Sequence, residues 1–595
     1  MTIDARLIGR ELTPVTGAWT ERDTRLYALA AGAGSVDPQQ ELRFATENTA
    51  NVTQRVLPTF GALEACRVWD RWTSSACSPT NPDCGRGDSS NSAYQTRLER
   101  AWPNSRAART HRPLRMSPVI DAFHHIYRQG DSHMSGAQST MRLSLFINPT
   151  GHHQASWRHP RAQADAGVSF AHYVELAQAA ERACFDAVFL ADNQCVLAGS
   201  PGTFGRVAQY VANFEPLTLI SGLIAVTERI GFISTASTSF NYPYQVARKF
   251  ASMDHMSGGR VGWNIVTSGP VEAPNFGLAE HFEHELRYER AAEFVEVCKG
   301  LWDSWEDDAF PRDKASGQFL LPAKVHTLDH DGPHLRVRGP LNVPRSPQGY
   351  PVFVQAGSSS TGTAFAARYA EMVFVTPQSV ESARQRYQLI KSQVADAGRD
   401  PDHVKVMPGL VVIVGRTTEE AREDYERLQS LLHIDVALNI FSLKLGGVDL
   451  SPYPLDEPLP MSAEPDRESG FSRPHFGEWA KLGQREGLTL RELALRAAGS
   501  MAGIVAYGSA TDIADLMEEW FRTGATDGFN IQPAYLPGQL HDFNELVVPE
   551  LQRRGLMRRT YDGRTLRDHF GLPRPAWRAR SHAGVAACAP VTVDR

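Results

Sequence analysis

Nowhere in its 595 residues does the chain approach the ~20 consecutive apolar residues that cross a bilayer. Met1–Pro14 carries Asp4, Arg6, Arg10 and Glu11 and no apolar run, so a secretory leader is not expected. Cysteine is sparse and odd in number: seven, at positions 66, 77, 84, 184, 195, 298 and 588. That argues against a disulfide framework and for a reducing compartment. Excess charge is lacking as well. A net charge of −6 beside 42% apolar residues excludes an acidic disordered chain and leaves no broad basic face for nucleic acid. The length allows two to four domains, or one large decorated barrel. These absences predict a soluble, cytoplasmic enzyme.

The chain divides into three parts and a tail. Residues 1–63 hold a helix-like stretch, Glu21–Ala31, stopped by Gly32-Ala33-Gly34, and an extended piece ending in Val56-Leu57-Pro58-Thr59-Phe60. With few large apolar side chains, this part would have a marginal core alone. Through Thr20-Glu21-Arg22-Asp23, Leu26-Tyr27-Ala28-Leu29, Gly32-Ala33-Gly34 and Leu57-Pro58-Thr59-Phe60 it resembles the opening of the MaoC-type hydratases, which have a hot-dog fold. Their catalytic motif is missing, so hydratase activity is not implied.

Residues 64–140 are unusual. Between Cys66 and Thr140 there are ten Arg and eleven Ser but no Lys, with three Cys and with Trp69, Trp72 and Trp102. No helical or alternating period persists. Two readings stand: an unstructured Arg/Ser linker, or a stretch read in a non-native frame that joins two gene fragments. The second would make Met134 or Met141 the natural start, and an intact Met1 on protein from the source cell would exclude it.

From residue 141 to 573 apolar strand-like runs alternate with amphipathic helical runs, the signature of βα units around a parallel sheet. Strands are expected near 142–148, 186–191, 230–236, 261–266, 351–355, 371–375, 404–412 and 528–531. Helices are expected at 170–184, 216–226, 243–254, 285–305, 362–369, 380–397, 419–432 and 542–554. Eight such units predict an α/β fold, a (β/α)8 TIM barrel with long insertions at Asp307–Gly349 and His433–Ser500. The partial hot-dog-like fragment and the unstructured segment precede it. Residues 574–595 read as a disordered tail.

In such a barrel the chemistry lies just past the carboxyl ends of the strands. Those positions carry Asn148-Pro149-Thr150-Gly151-His152-His153, Ala191-Asp192-Asn193, Ser237-Thr238-Ser239, Thr267-Ser268-Gly269 and Ala356-Gly357-Ser358-Ser359-Ser360-Thr361-Gly362. Small hydroxylic groups predominate and carboxylates are scarce, which suits a polyhydroxylated ligand better than hydrolysis. The Gly357–Gly362 run at a strand end, opening a helix, offers backbone N–H groups and the positive end of a helix dipole to a phosphate. Plain helix capping by its serines is the competing reading. His284 and Tyr288 are spaced i, i+4 and share a helix face. Taken singly, a surface His beside a packed Tyr, a helix cap at Asp192 and a satisfied hydroxyl at Thr238 explain these residues equally well.

Combined, they resemble the bacterial-luciferase-like flavin monooxygenases, in the subgroup of nitrilotriacetate monooxygenase component A, dibenzothiophene-sulfone monooxygenase and pristinamycin synthase component A. The matching segments include Thr150-Gly151-His152-His153 with Trp157-Arg158-His159-Pro160, and Phe185 to Asp192 (FDAVFLAD). The longest runs from Pro243-Tyr244 through Ala247 to Ser268 (ARKFASMDHMSGGRVGWNIVTS from Ala247). Further matches, at Asn275-Phe276-Gly277, Gln355 to Ser359, Asp527 to Asn530 and Val548 to Gly555, spread across residues 141–573.

The resemblance implies a flavin site. Asp192 and Thr238 match positions that line the flavin, His284 and Tyr288 match a His/Tyr pair, and Ser358, with Ser359 beside it, matches the phosphate-binding serine. FMN, as FMNH2, would be the cofactor, made by a separate NAD(P)H:flavin reductase. With O2 it would form a C4a-peroxyflavin that passes one oxygen atom to a small organic substrate. A homo-oligomer is also implied. His152 matches a histidine near the flavin and is the candidate for proton handling; a histidine bonded to backbone is its other reading. No Gly-rich dinucleotide fingerprint follows a strand, in keeping with a two-component system. The two long insertions are candidate lids that would keep water from the flavin. A non-catalytic FMN-binding protein is the alternative, and a metal hydrolase is disfavoured by the adjacent His152-His153. Gly269 stands where long-chain alkane monooxygenase, of the same subgroup, has a histidine, which argues against a long alkane. The stretch Asn193–Arg206, with Arg206 its one cation, predicts a largely neutral substrate.

Overall fold

The computed structural model describes residues 140–196, 201–357, 359–377, 379–445, 447–460, 474–499 and 503–578, with 201–202 and 474–478 as backbone only. The hydratase-like fragment, the Arg/Ser-rich segment up to residue 139, Ser358 and the tail beyond residue 578 lie outside the described residues.

The barrel strands are β1 (Arg142–Phe146), β2 (Ala187–Leu190), β3 (Gly231–Ser237) and β4 (Val261–Val266), then β7 (Val352–Gln355), β8 (Met372–Val375), β9 (Lys405–Val414) and β11 (Gly528–Pro533). They follow a two-residue hairpin, β5 (His330–Asp331) and β6 (Arg336–Val337), at the break after β4. All neighbouring barrel strands are parallel, and β8 pairs with β9 to close the ring. The eight expected strands are therefore present, within a few residues of the expected limits.

A strand that the sequence reading did not anticipate, β10 (Ile504–Gly508), pairs with Leu410–Val414. It has a partner because β9 is long: Lys405–Pro408 pairs with β8 and Gly409–Val412 with β11. A five-residue apolar run carries no period that separates strand from helix, so β10 was not legible in isolation.

The helices that concern the site are α1 (Phe170–Arg182), α2 (Pro201–Phe204), α3 (Pro216–Ile224), α4 (Pro243–Ser257), α5 (His284–Trp302), α6 (Ser360–Tyr369), α7 (Val380–Asp396) and α8 (Thr418–Ser430). Leu143, Leu145, Phe232 and Trp263 alternate outward and bury against this helical layer. Phe146, Phe189, Ile233, Val354 and Phe374 alternate inward and fill the barrel. A short helix, α15 by chain order (Leu566–Phe570), plugs the amino-terminal end. Glycine makes room there: a Cβ on Gly231, the first residue of β3, would stand 2.5 Å from Leu566 Cδ1. With one end plugged, the carboxyl end is left for chemistry.

Two expectations need correcting. The insertion 307–349 is no lid over the carboxyl end. Gln348 donates to the carbonyl of Val261, the first residue of β4, at 2.6 Å, and Trp305 donates to Leu341 O at 2.6 Å. The hairpin β5–β6 lies along α5, where His330 meets Glu293 at 2.8 Å. The segment thus clothes the amino-terminal half. The tail also remains docked further than expected: Arg574 pairs with Asp307 at 2.6 Å, and Trp577 Nε1 donates to Asp303 O at 3.0 Å.

The insertion 433–500 does reach the other end. Its helices α9 (Ile434–Lys444) and α11 (Leu490–Ala498) share a small core through Val436, Phe441, Leu493 and Ala494, against which Val207 packs. Among the described residues no helix is long and apolar enough to cross a membrane.

Candidate functional site

The loop between β7 and α6 combines both readings of the Gly357–Gly362 run. Ser359 is the N-cap: its hydroxyl accepts from Gly362 N at 3.0 Å, while Thr363 Oγ1 donates to Ser359 O at 2.8 Å. A hydroxyl that accepts one bond still has a proton to donate. Gly357 N donates to Gln355 Oε1 at 2.7 Å, folding the loop back on the strand.

The Tyr288 hydroxyl reaches this loop from α5. A Cβ on Gly362 would stand 2.8 Å from Tyr288 Oη, and one on Gly357 would stand 3.0 Å from it. The two glycines therefore admit the phenol that any side chain would displace. His284 lies one turn away, its ring 5.1 Å from that of Tyr288, and Phe365 of α6 packs on the tyrosine at 5.7 Å. Thus His284, Tyr288, Ser359 and the first turn of α6, 70 residues apart in sequence, converge. Hydroxyls, an imidazole and a helix N-terminus flanked by glycines are a donor set that fits a phosphate.

Thr238 sits on the neighbouring strand ends. Its N and Oγ1 both donate to Val266 O, at 2.9 and 3.1 Å. Ser268 holds φ +57° and donates to Ser237 Oγ at 2.8 Å, while Arg287 of α5 donates to Ser268 O at 2.8 Å. The tops of β3 and β4 and the start of α5 are thereby tied together. Thr238 has the satisfied geometry of the plainer reading.

Across the ring, the ends of β1 and β2 with α1 and α3 enclose a cavity of about 460 Å³. Phe146, Asn148, Leu190, Asp192, Tyr210 and Glu215 are among its walls. Burial, then the nearby Glu215 and Glu272 carboxylates, pushes the Asp192 carboxyl up to about 6. Glu215 is the N-cap of α3, accepting from Leu217 N at 3.0 Å and Thr218 N at 2.7 Å. Tyr210 and Ala212 adopt φ of +56° and +55°, a strained turn that carries Tyr210 to the wall. Asn275 Nδ2 donates to Gln194 O at 2.8 Å, joining the loop after β4 to the loop after β2.

His152 is buried beside the cavity, outside the residues that line it. Its Nε2 meets Phe146 O at 2.9 Å, and its ring stands edge-on to that of Phe146 at 4.6 Å. Donation to a carbonyl places the proton on Nε2, and burial pulls the imidazole down to about 4. The ring is thus neutral at pH 7.

The structure therefore brings His284, Tyr288 and Ser359 together, places Asp192 in the cavity, and sets Thr238 and His152 beside them. Sequence reading missed Tyr210, Glu215 and Asn275 as cavity residues. Glu215-Pro216 could be read only as a helix start, and nothing local to Tyr210 announces a left-handed turn. Among the described residues no group of three or more His, Cys, Asp and Glu could hold a metal ion.

The luciferase-like monooxygenase family profile matches residues 149–527. The chain is 47% identical over 445 residues to N-acetyl-S-(2-succino)cysteine monooxygenase of Bacillus subtilis (strain 168), covering 74% of this chain and 99% of that one. It is 44% identical to nitrilotriacetate monooxygenase component A of Aminobacter aminovorans, over 74% of this chain and 98% of the relative. The crystal structure of a riboflavin lyase with modified FMN and riboflavin superposes with a TM-score of 0.65 at 33% identity, covering 74% of this chain and 98% of that one.

Proposed function

The chain belongs to the luciferase-like monooxygenase family, and we propose from that premise that it is the oxygenating component of a two-component, FMNH2-dependent monooxygenase. The observation that supports this most is the meeting of Tyr288, His284 and Ser359 at the first turn of α6, at the barrel end where this fold keeps its chemistry. Bound there, reduced FMN supplies the two electrons with which one atom of O2 enters an organic substrate and the other leaves as water.

The protein's own part is binding, orientation and water exclusion. Ser358 and Ser359, the N–H groups opening α6, and Tyr288 with His284 hold the phosphate. Thr238 and Asp192 border the ring. The loop 203–210, backed by the insertion 433–500 through Val207 and through Asn439 on Thr203 at 3.4 Å, roofs the cavity. A roof matters because solvent at an oxygen-activating flavin diverts the reaction to hydrogen peroxide. His152, with its proton held on Nε2 by Phe146 O, presents Nδ1 as the one nitrogen able to accept a proton.

A separate NAD(P)H:flavin reductase supplies the reduced cofactor, the protein works in the cytoplasm, and it is a homo-oligomer. The test has two parts. Anaerobic titration with photoreduced FMN should show saturable binding. The full chain with FMN, NADH and a generic flavin reductase should give oxygenated product by mass spectrometry. Absence of reduced-flavin binding would end this reading; binding with no product from any substrate class would leave a flavin-binding protein.

A further inference from the structure

The cavity beside Asp192 carries information on the substrate that the names of the relatives do not. Its ionisable walls among the described residues are Tyr173, Asp192, Cys195, Tyr210 and Glu215, and none of its lining residues is Lys, Arg or His. Glu272 adds a third carboxylate near Asp192. Asn148 contributes a different chemistry. It is 7% exposed and lines the cavity. An amide on a cavity wall offers both a donor and an acceptor to a group that enters. Phe146, Leu190, Phe214 and Leu219 supply apolar surface around it.

Resting on the monooxygenase reading above, we propose that this cavity is the substrate pocket and that it selects a neutral or protonated-amine substrate against polycarboxylates. Asn148 takes a hydrogen-bonding group of that substrate, and its apolar body lies on Phe146, Leu190 and Phe214. Both the 47% and the 44% identical relatives are named for polycarboxylic compounds. Such a compound needs cations to balance its charge, ideally arginines with paired donors. This cavity offers carboxylates instead. Burial first, and then the carboxylates around it, push the Asp192 carboxyl up to about 6. A substrate carboxylate entering the same space meets the same opposition. A protonated amine meets attraction, and a neutral sulfone or sulfide meets neither.

The test uses the full chain with FMN present and three probes of similar size: nitrilotriacetate, dibutyl sulfone and dibutylammonium. Isothermal titration should show at least one of the last two binding tenfold or more tightly than nitrilotriacetate. Glu215→Gln, with its fold checked by circular dichroism, should narrow that gap at least threefold. Asn148→Leu should weaken the preferred probe at least threefold and leave reduced-FMN affinity within twofold. Nitrilotriacetate binding as tightly as the other two overturns the proposal. So does the failure of all three to bind. Reduced-FMN affinity, measured alongside, separates either failure from failure of the monooxygenase reading itself.

Discussion

On one side of the barrel mouth, Tyr288, Ser359 and the opening turn of α6 present hydroxyls and backbone N–H groups. On the other, Asp192 and Glu215 present carboxylates and Asn148 an amide. Both sides use small polar residues at strand ends, yet their electrostatics are opposed. A phosphate is favoured by donors and by the positive end of a helix. A carboxylate is disfavoured where burial and like charge already hold Asp192 near 6. On the proposed reading, the difference teaches that one barrel mouth sorts two ligands by charge, admitting an anionic cofactor tail on one side and discouraging anions on the other.

The largest expected effect comes from making the phosphate side resemble the cavity side. Ser358→Asp sets a negative charge against the phosphate, and reduced-FMN affinity should fall at least tenfold, about 1.4 kcal/mol or more. A change below about threefold in anaerobic titration would show that the phosphate lies elsewhere.

Gly362→Ala should follow, with a loss of about fivefold, near 1 kcal/mol. The added methyl displaces the Tyr288 hydroxyl that a Cβ would approach to 2.8 Å. Unchanged affinity in the same titration would remove Tyr288 from the cradle.

On the cavity side, Asp192→Asn sharpens the comparison through pH. The folded carboxyl, at about 6, lies above its ordinary value of 3.8, so between these values the native state binds more protons than the unfolded one. Wild-type stability therefore falls as pH rises from about 4 to about 6, and the loss persists above that. The variant's Tm should gain on the wild type's by about 2 °C across this window. A constant difference would show that the folded protein does not raise the Asp192 carboxyl.

The smallest effect is expected from deleting Met1–His133. Every residue named on either side lies beyond position 140, so folding and reduced-FMN affinity should persist within about twofold. Loss of soluble expression would show that the barrel depends on the amino-terminal part.

Much of this was legible in the sequence, for definite reasons. The 2-residue and 3.6-residue periods yielded eight strands and their helices, because a residue's face in a regular element depends on spacing alone. Phosphate-side residues could be proposed because a glycine-flanked serine run opens a helix after a strand, although plain capping reads as well there, and because the segment Ala247–Ser268 marks the family. Other features depend on contacts between segments far apart in the chain. β10 exists because β9 outruns β8 and leaves Leu410–Val414 a partner to find. The insertion 307–349 reads as a lid until Gln348 is found on the amino end of β4. Tyr288 reaches the loop before α6 only when α5 packs on α6, and Asn148 becomes informative only when it is found on the cavity wall. Sequence determined the elements and the residue types at their ends, since both follow from local patterning. Tertiary structure decided which ends face one another and which polar groups share a cavity, because burial and electrostatic field are properties of the assembled surroundings.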